Sequence, residues 1–379
     1  MGKPMPPPQD FWEDLFAASA GEAVGVRVEM RALSKHGRPF LLVPRLPRAA
    51  AMALELYPAQ TARARAARTV LRWLLRAGVS LGTKDITFTV APGDPFAAFL
   101  AAQAAEPRGQ VPALGILAGN PASDGQRFLL LVFDACQRPV AVVKAGLSAR
   151  ARFLVGKEES FLTAVPRTAT CIPRLRAKFE SGRLRAMALD FFAGDSPRPH
   201  HGGALPGLLS SWVDPERTIA ISASPVWVRL EGAAPPGELF APLAGRLRGR
   251  TVHPAIQHGD LAPWNIKVSA AGDWTVLDWE RGELDGIPGW DWFHYVIQPG
   301  ILVERLSTTD LVQRIETLLA AESFAAYAGR AGILGCEREL LLAYLLHAVE
   351  VIKPSEGLAA TRELLGALAA RWRVTTGSA

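Results

Sequence analysis

Three cysteines in 379 residues are too few and too scattered for a disulfide framework, and Cys136, Cys171 and Cys336 form no zinc-ligand spacing. That usage fits a reducing compartment, so a cytoplasmic location is expected. No apolar run is long enough to span a bilayer, and the proline-rich opening Met1 to Pro8 leads into no apolar signal core. A transmembrane segment is therefore not expected. The adjacent His200-His201 has no Cys or further His at a ligand spacing, which argues against zinc. Internal repeats, nucleic-acid-binding motifs and a Walker phosphate loop are all missing.

What is present is globular in character. Apolar residues make up 49% of the chain and charged residues 21%, and the length suffices for two or three domains. The net charge of +6 owes most to Arg. Arg63, Arg65, Arg68, Arg72 and Arg76 dominate one predicted helix, Ala62 to Ala77. Such a face can meet nucleic acid or an anionic membrane. Arg in an Ala-rich helix is more often a solvated surface, and no motif supports nucleic acid as a partner.

One stretch carries chemistry. His258-Gly259-Asp260-Leu261-Ala262-Pro263-Trp264-Asn265 is followed, after a predicted hairpin, by Leu277-Asp278-Trp279-Glu280. A short apolar strand closes at Val268, Ala270 to Asp273 reads as a turn, and Trp274 to Leu277 reads as the returning strand. The hairpin brings Asp278 back beside Asn265. A lone Asp in a turn is most often a cap. Two carboxylates and an amide in this order suit phosphoryl transfer, where one Asp orients a hydroxyl and the Asn and second Asp hold metal.

The stretch resembles the catalytic and metal loops of the aminoglycoside phosphotransferase/choline kinase family, small-molecule relatives of the protein kinases. The resemblance covers roughly Leu114 to the C-terminus. It implies Asp260 as the catalytic base, Asn265 and Asp278 as ligands of Mg²⁺, and ATP or GTP as phosphoryl donor. Asp291, in Gly289-Trp290-Asp291-Trp292, matches an Asp that braces the metal loop or caps a helix in similar proteins. Trp264, Trp279, Trp290 and Trp292 are expected to pack the core near the site, with an aromatic wall for a substrate as the alternative.

Upstream, Phe128 to Phe133 and Val140 to Val143 read as strands, and Lys144 ends the second, as the Lys of Val-Ala-Ile-Lys does in kinases. Glu158 follows in a predicted helix ahead of Leu162 and Val165. The resemblance favours it over Glu159 as the partner of Lys144. The loop Gly119 to Gly125 has the small residues that let backbone N–H groups approach phosphate oxygens, with Ser123 and Gly125 as candidate contacts. It lacks Gly-x-Gly-x-x-Gly, and an ordinary hairpin turn accommodates the same residues. Met187 to Phe192 reads as a strand breaking at Gly194, and the resemblance makes the Asp190 C=O and Phe192 N–H contacts of the nucleotide base.

The expected architecture is α+β: a two-lobed protein-kinase-like fold with an antiparallel sheet in the small lobe and a mostly helical large lobe. A small α/β accessory domain over residues 1–110 precedes the small lobe, 111–195, and the large lobe, 196–379. The function expected is transfer of the γ-phosphoryl group of a nucleoside triphosphate to a hydroxyl of a small-molecule acceptor, of aminoglycoside, sugar or amino-alcohol type. A nucleotide-binding pseudokinase or scaffold, acting through its N-terminal domain, is the alternative.

Overall fold

The segment Arg127 to Phe133 carries apolar residues at six successive positions, the pattern of a strand covered on both faces. In the computed structural model it is an interior strand of an eight-stranded sheet. The structure describes residues 12–16, 25–35, 38–57, 62–79, 82–107, 109–119, 125–198, 203–234, 239–354 and 356–373. Ser123 and the His200-His201 pair lie outside these residues. The chain divides into two units, residues 1–163 with 173–193, and residues 164–172 with 194–379.

In the first unit, the strands are β1 (Val26–Lys35), β2 (Arg38–Pro44), β3 (Thr83–Val90), β4 (Leu114–Ala118), β5 (Arg127–Phe133), β6 (Pro139–Gly146), β7 (Leu175–Glu180) and β8 (Arg185–Asp190). Their spatial order is β3-β1-β2-β4-β5-β6-β8-β7, and every neighbouring pair is antiparallel. Alternation along β5 sorts its side chains between two cores. Phe128, Leu130 and Val132 join Ile116, Val143 and Ala188 on one face, together with Phe96 and Leu100 of α3 (Pro95–Ala104 in chain order after α1, Pro47–Ala53, and α2, Ala62–Arg76). Leu131 and Phe133 join Leu41, Val43 and the alanines of α1 on the other.

The sheet runs without a break across residue 110. β2 pairs with β4 through Leu41↔Leu117 and Leu42↔Ile116. The separate N-terminal domain expected over residues 1–110 is thus corrected: β1, β2 and β3 extend the same sheet and share its cores. The physical reason is the edge of β4, whose backbone groups would otherwise be unpaired. The apolar face of β2 completes that layer, and α1 packs so closely on it that a Cβ at Gly115 would lie 2.6 Å from the Ala53 Cβ.

Local chemistry sets the start of α3. Asp94 caps α3, its Oδ1 accepting the Ala97 N–H at 2.7 Å, and Pro95 occupies the first turn, where no amide donor is needed. The Arg-rich α2 turns Leu71 and Leu75 toward the core, while Arg72 pairs with Glu55 at 2.8 Å and Trp73 stays exposed. α4 (Ala149–Ala164) carries both Glu158 and Glu159.

Helices dominate the second unit: α5 (Ala204–Ser211), α6 (Pro225–Ala233), α7 (Phe240–Leu247), α8 (Trp290–Pro299), α9 (Thr308–Leu319), α10 (Glu322–Ala331), α11 (Glu337–His347) and α12 (Leu358–Arg371). Three small antiparallel ladders are set among them. β9 (Ile219–Ala220) pairs with β10 (Thr251–Val252), β11 (Ala255–Gln257) with β14 (Glu283–Gly286), and β12 (Ile266–Val268) with β13 (Trp274–Val276). Trp227, Trp279, Trp290 and Phe293 are fully buried, and Trp292 nearly so. Three of the four tryptophans named from the sequence therefore fill the core; Trp264 is half-buried. Among the described residues no helix is long and apolar enough to cross a membrane.

Candidate functional site

The loop 258–265 leaves β11 and enters β12, and the loop 277–282 leaves β13 and enters β14. Ile266↔Val276 and Gln257↔Glu283 are the ladder pairs at which the two loops begin and end. Pairing alone thus brings both loops together. The Leu277 N–H then donates to the Asn265 C=O at 2.7 Å, which sets Asp278 next to the Asn265 loop.

His258 ties the loops a second time. Its Nδ1 accepts the Asp260 N–H at 3.1 Å, so the ring proton is at Nε2, which donates to the Leu277 C=O at 2.8 Å. The imidazole is fully buried against Trp279, ring centroids 4.7 Å apart. Gly259 takes φ +76°, and a Cβ there would sit 2.9 Å from the Arg281 Cβ, so the loops meet at a place only glycine fits.

Asp291, in the first turn of α8, accepts the His258 N–H at 2.6 Å on one carboxylate oxygen and the Gly259 N–H at 2.9 Å on the other. Burial pushes its carboxyl above the ordinary value, against the opposing pull of His258 and the two amides. This bracing contact is the one the sequence suggested for Asp291.

Asp260 itself is one-third exposed, at 35% for the side chain. Asn265 Nδ2 donates to its backbone carbonyl at 2.8 Å and, more weakly, to Oδ2 at 3.3 Å. Burial of the carboxyl works to raise its pKa, yet His294, Arg281 and His258 outweigh that and hold it below the ordinary carboxylate value. Asp260 is therefore ionised, as a base must be. Asp278, half-buried, takes a left-handed backbone with φ +73°, uncommon outside glycine and tolerated best by Asn and Asp.

The residues fit a hard cation. Both hydrogen bonds of the Asn265 side chain use Nδ2, which orients the amide and turns its oxygen away from Asp260. That oxygen and the Asp278 carboxylate are the donors Mg²⁺ prefers. Among the described residues no group of three or more His, Cys, Asp or Glu is placed to hold a metal unaided. A Mg²⁺ that takes its other ligands from phosphate and water needs no such group.

In the first unit, Lys144 lies on β6 between Leu129 of β5 and Met187 of β8. Its Nζ reaches both oxygens of Glu158, at 2.7 and 2.8 Å, in a buried setting. Glu159 turns the other way on α4 and binds Arg185 at 3.0 Å and Lys178 at 3.4 Å. The two acidic neighbours are thereby told apart. Gly125 has φ +100° beside α4, where a Cβ would press on Arg150 and Leu154 at 3.0 Å. Asp190 ends β8 with its side chain exposed, 3.5 Å from Arg176, and Phe192 follows in irregular chain.

Two neighbours of Asp260 were not singled out in the sequence. Arg281 Nη1 is 3.6 Å from Asp260 Oδ1, and His294 Nε2 is 3.2 Å from the same oxygen. Arg281 follows the metal loop directly. His294 stands one turn after Asp291 on α8, the spacing that puts two side chains on one helix face.

No protein-family model matches the chain, and no curated protein matches it. Similar solved structures exist. A thermostable mutant of an aminoglycoside phosphotransferase, crystallised with ADP and hygromycin B, covers 74% of this chain and 99% of its own at 13% identity, TM-score 0.45. An aminoglycoside phosphotransferase from Streptomyces rimosus covers 67% and 97% at 16% identity, TM-score 0.37. A macrolide 2'-phosphotransferase from Brachybacterium faecium covers 67% and 91% at 17% identity, TM-score 0.36. These three solved structures, to which the α+β chain is similar, are small-molecule phosphotransferases.

Proposed function

We propose that this protein is a phosphotransferase that moves the γ-phosphoryl group of a nucleoside triphosphate to a hydroxyl of a small molecule. The observation that carries this reading is the double tie between the two loops of the second unit. It sets an ionised Asp260, an oriented Asn265 and a strained Asp278 within one short stretch of backbone.

In this reading Asp260 accepts the proton of the acceptor hydroxyl as its oxygen bonds to the γ-phosphorus, and the bond from phosphorus to the nucleoside diphosphate breaks. Asn265 and Asp278 would hold Mg²⁺, which when bound neutralises phosphate charge. Lys144, oriented by Glu158, binds the α- and β-phosphates, Gly125 and the neighbouring Ser123 lie in the phosphate loop, and Asp190 and Phe192 supply backbone contacts to the base. Aminoglycosides, sugars and amino alcohols are the acceptors proposed. Asp291 and His258 act on the loops rather than on substrate.

The test is consumption of ATP or GTP against a panel of hydroxyl acceptors and against water. Turnover should require a divalent cation and vanish with a chelator. In Asp260→Asn it should fall by about a hundredfold or more, with the fold and nucleotide affinity kept. Wild-type turnover in that variant would remove the assignment of Asp260, and no transfer to any acceptor would favour a nucleotide-binding protein without catalysis.

A further inference from the structure

His294 is nine-tenths buried on α8, between two oxygen-bearing side chains. On one side its Nδ1 is 3.0 Å from the Tyr344 hydroxyl, itself buried on α11. On the other its Nε2 is 3.2 Å from Asp260 Oδ1. The second approach lies off the N–H axis, so it is a close charge–dipole contact rather than a linear hydrogen bond.

The proton positions follow from the neighbours. Gln298 hydrogen-bonds the Tyr344 hydroxyl, and burial keeps that phenol protonated far above neutral pH. With Gln298 donating to its oxygen, Tyr344 has its own O–H for the Nδ1 of His294. The imidazole proton is then at Nε2, facing the carboxylate. Arg281 also approaches Oδ1, at 3.6 Å. Oδ2 meets only the weaker contact from Asn265, at 3.3 Å, among the described contacts.

Resting on the reaction proposed above, we propose that His294, held in one tautomer by Tyr344, is a positioning residue for Asp260, fixing Oδ1 so that Oδ2 takes the proton of the acceptor hydroxyl. Within the loops this carboxylate meets Asn265 weakly at Oδ2 and Arg281 at 3.6 Å on Oδ1, whereas His294, on α8, approaches Oδ1 more closely, at 3.2 Å. The other charged or titratable groups around the pair are Arg281, His258 and Asp291, and Arg281 lies farther from Oδ1, at 3.6 Å, than His294 at 3.2 Å.

The test has a kinetic arm and an arm free of activity. His294→Leu should fold, keep its KM for nucleotide, and lose about tenfold or more in kcat. His294→Gln, whose amide can donate, should restore part of kcat. Tyr344→Phe, which releases the tautomer of His294, should lower kcat by less, again with KM for nucleotide kept. Independently, ¹⁵N shifts should show His294 protonated at Nε2 and bare at Nδ1 in wild type, and lose that preference in Tyr344→Phe. An Nδ1-protonated ring, or a His294→Leu variant with wild-type kcat, overturns the inference. Should wild type transfer no phosphoryl group at all, the proposed reaction fails, while the spectroscopic arm still decides the role of His294.

Discussion

Lys144 and Glu158 form a buried pair in which one ammonium reaches both carboxylate oxygens, at 2.7 and 2.8 Å. Lys144 lies in the interior of the sheet, on β6 between β5 and β8. Breaking such a pair leaves a charge in a poorly solvated place. Lys144→Ala should therefore cost stability as well as nucleotide affinity, by about 3–5 kcal/mol in urea unfolding. The double variant Lys144→Met with Glu158→Leu should recover much of that stability and none of the affinity. A single variant as stable as wild type would show that the pair contributes only binding.

The sequence made much of this legible, for reasons that differ by element. The hairpin of β12 and β13 was readable because apolar residues flank a turn-forming run, and it alone decides that Asp278 returns to Asn265. β5 and β6 were readable from unbroken apolar runs. β7, Leu-Arg-Ala-Lys-Phe-Glu, was not: its alternating charged residues are exposed on an edge strand and resemble a loop. The continuity of the sheet past residue 110 was also hidden. The pairing of β2 with β4 joins residues more than seventy apart, and no local pattern reports such a contact. The resemblance favoured Glu158 over Glu159, but the opposite directions the two take from α4 are visible only in three dimensions. His294 and Tyr344 escaped notice because each looks like core on its own helix, and only the packing of α8 against α11 shows what they share.

Asp291 offers a second prediction, since one carboxylate serves two amides of the catalytic loop. Asp291→Ala would leave the His258 and Gly259 N–H groups buried without an acceptor, at a cost of about 1–3 kcal/mol for each. Melting temperature and turnover should therefore fall together, and hydrogen exchange of the two amides should accelerate in advance of global unfolding. Asp291→Asn should be intermediate, since its amide has one oxygen to offer. Protection of both amides as in wild type would mean that the loop is held by His258 and the ladders alone.

His347 gives a third prediction, through its acid behaviour. It is buried on α11 beside Trp290, ring centroids 5.0 Å apart, and its Nε2 meets no hydrogen-bond partner among the described residues. Burial first, and then Arg229 and Arg281, push its pKa down from 6.5 to about 3. Protonation is thus easier in the unfolded chain. For a group depressed in this way the folded state is favoured above pH 6.5 and loses ground as pH falls from there toward about 3. Over that window the unfolded chain binds up to one proton more, which is a slope of about 1.4 kcal/mol per pH unit. His347→Leu keeps an apolar side chain against Trp290 and removes the titration. Carboxylates shared by both proteins cancel in the comparison, so the difference in unfolding free energy, measured in urea between pH 7 and pH 5, should swing toward the variant as pH falls. Parallel curves over that range would place the His347 ring in water and contradict its burial.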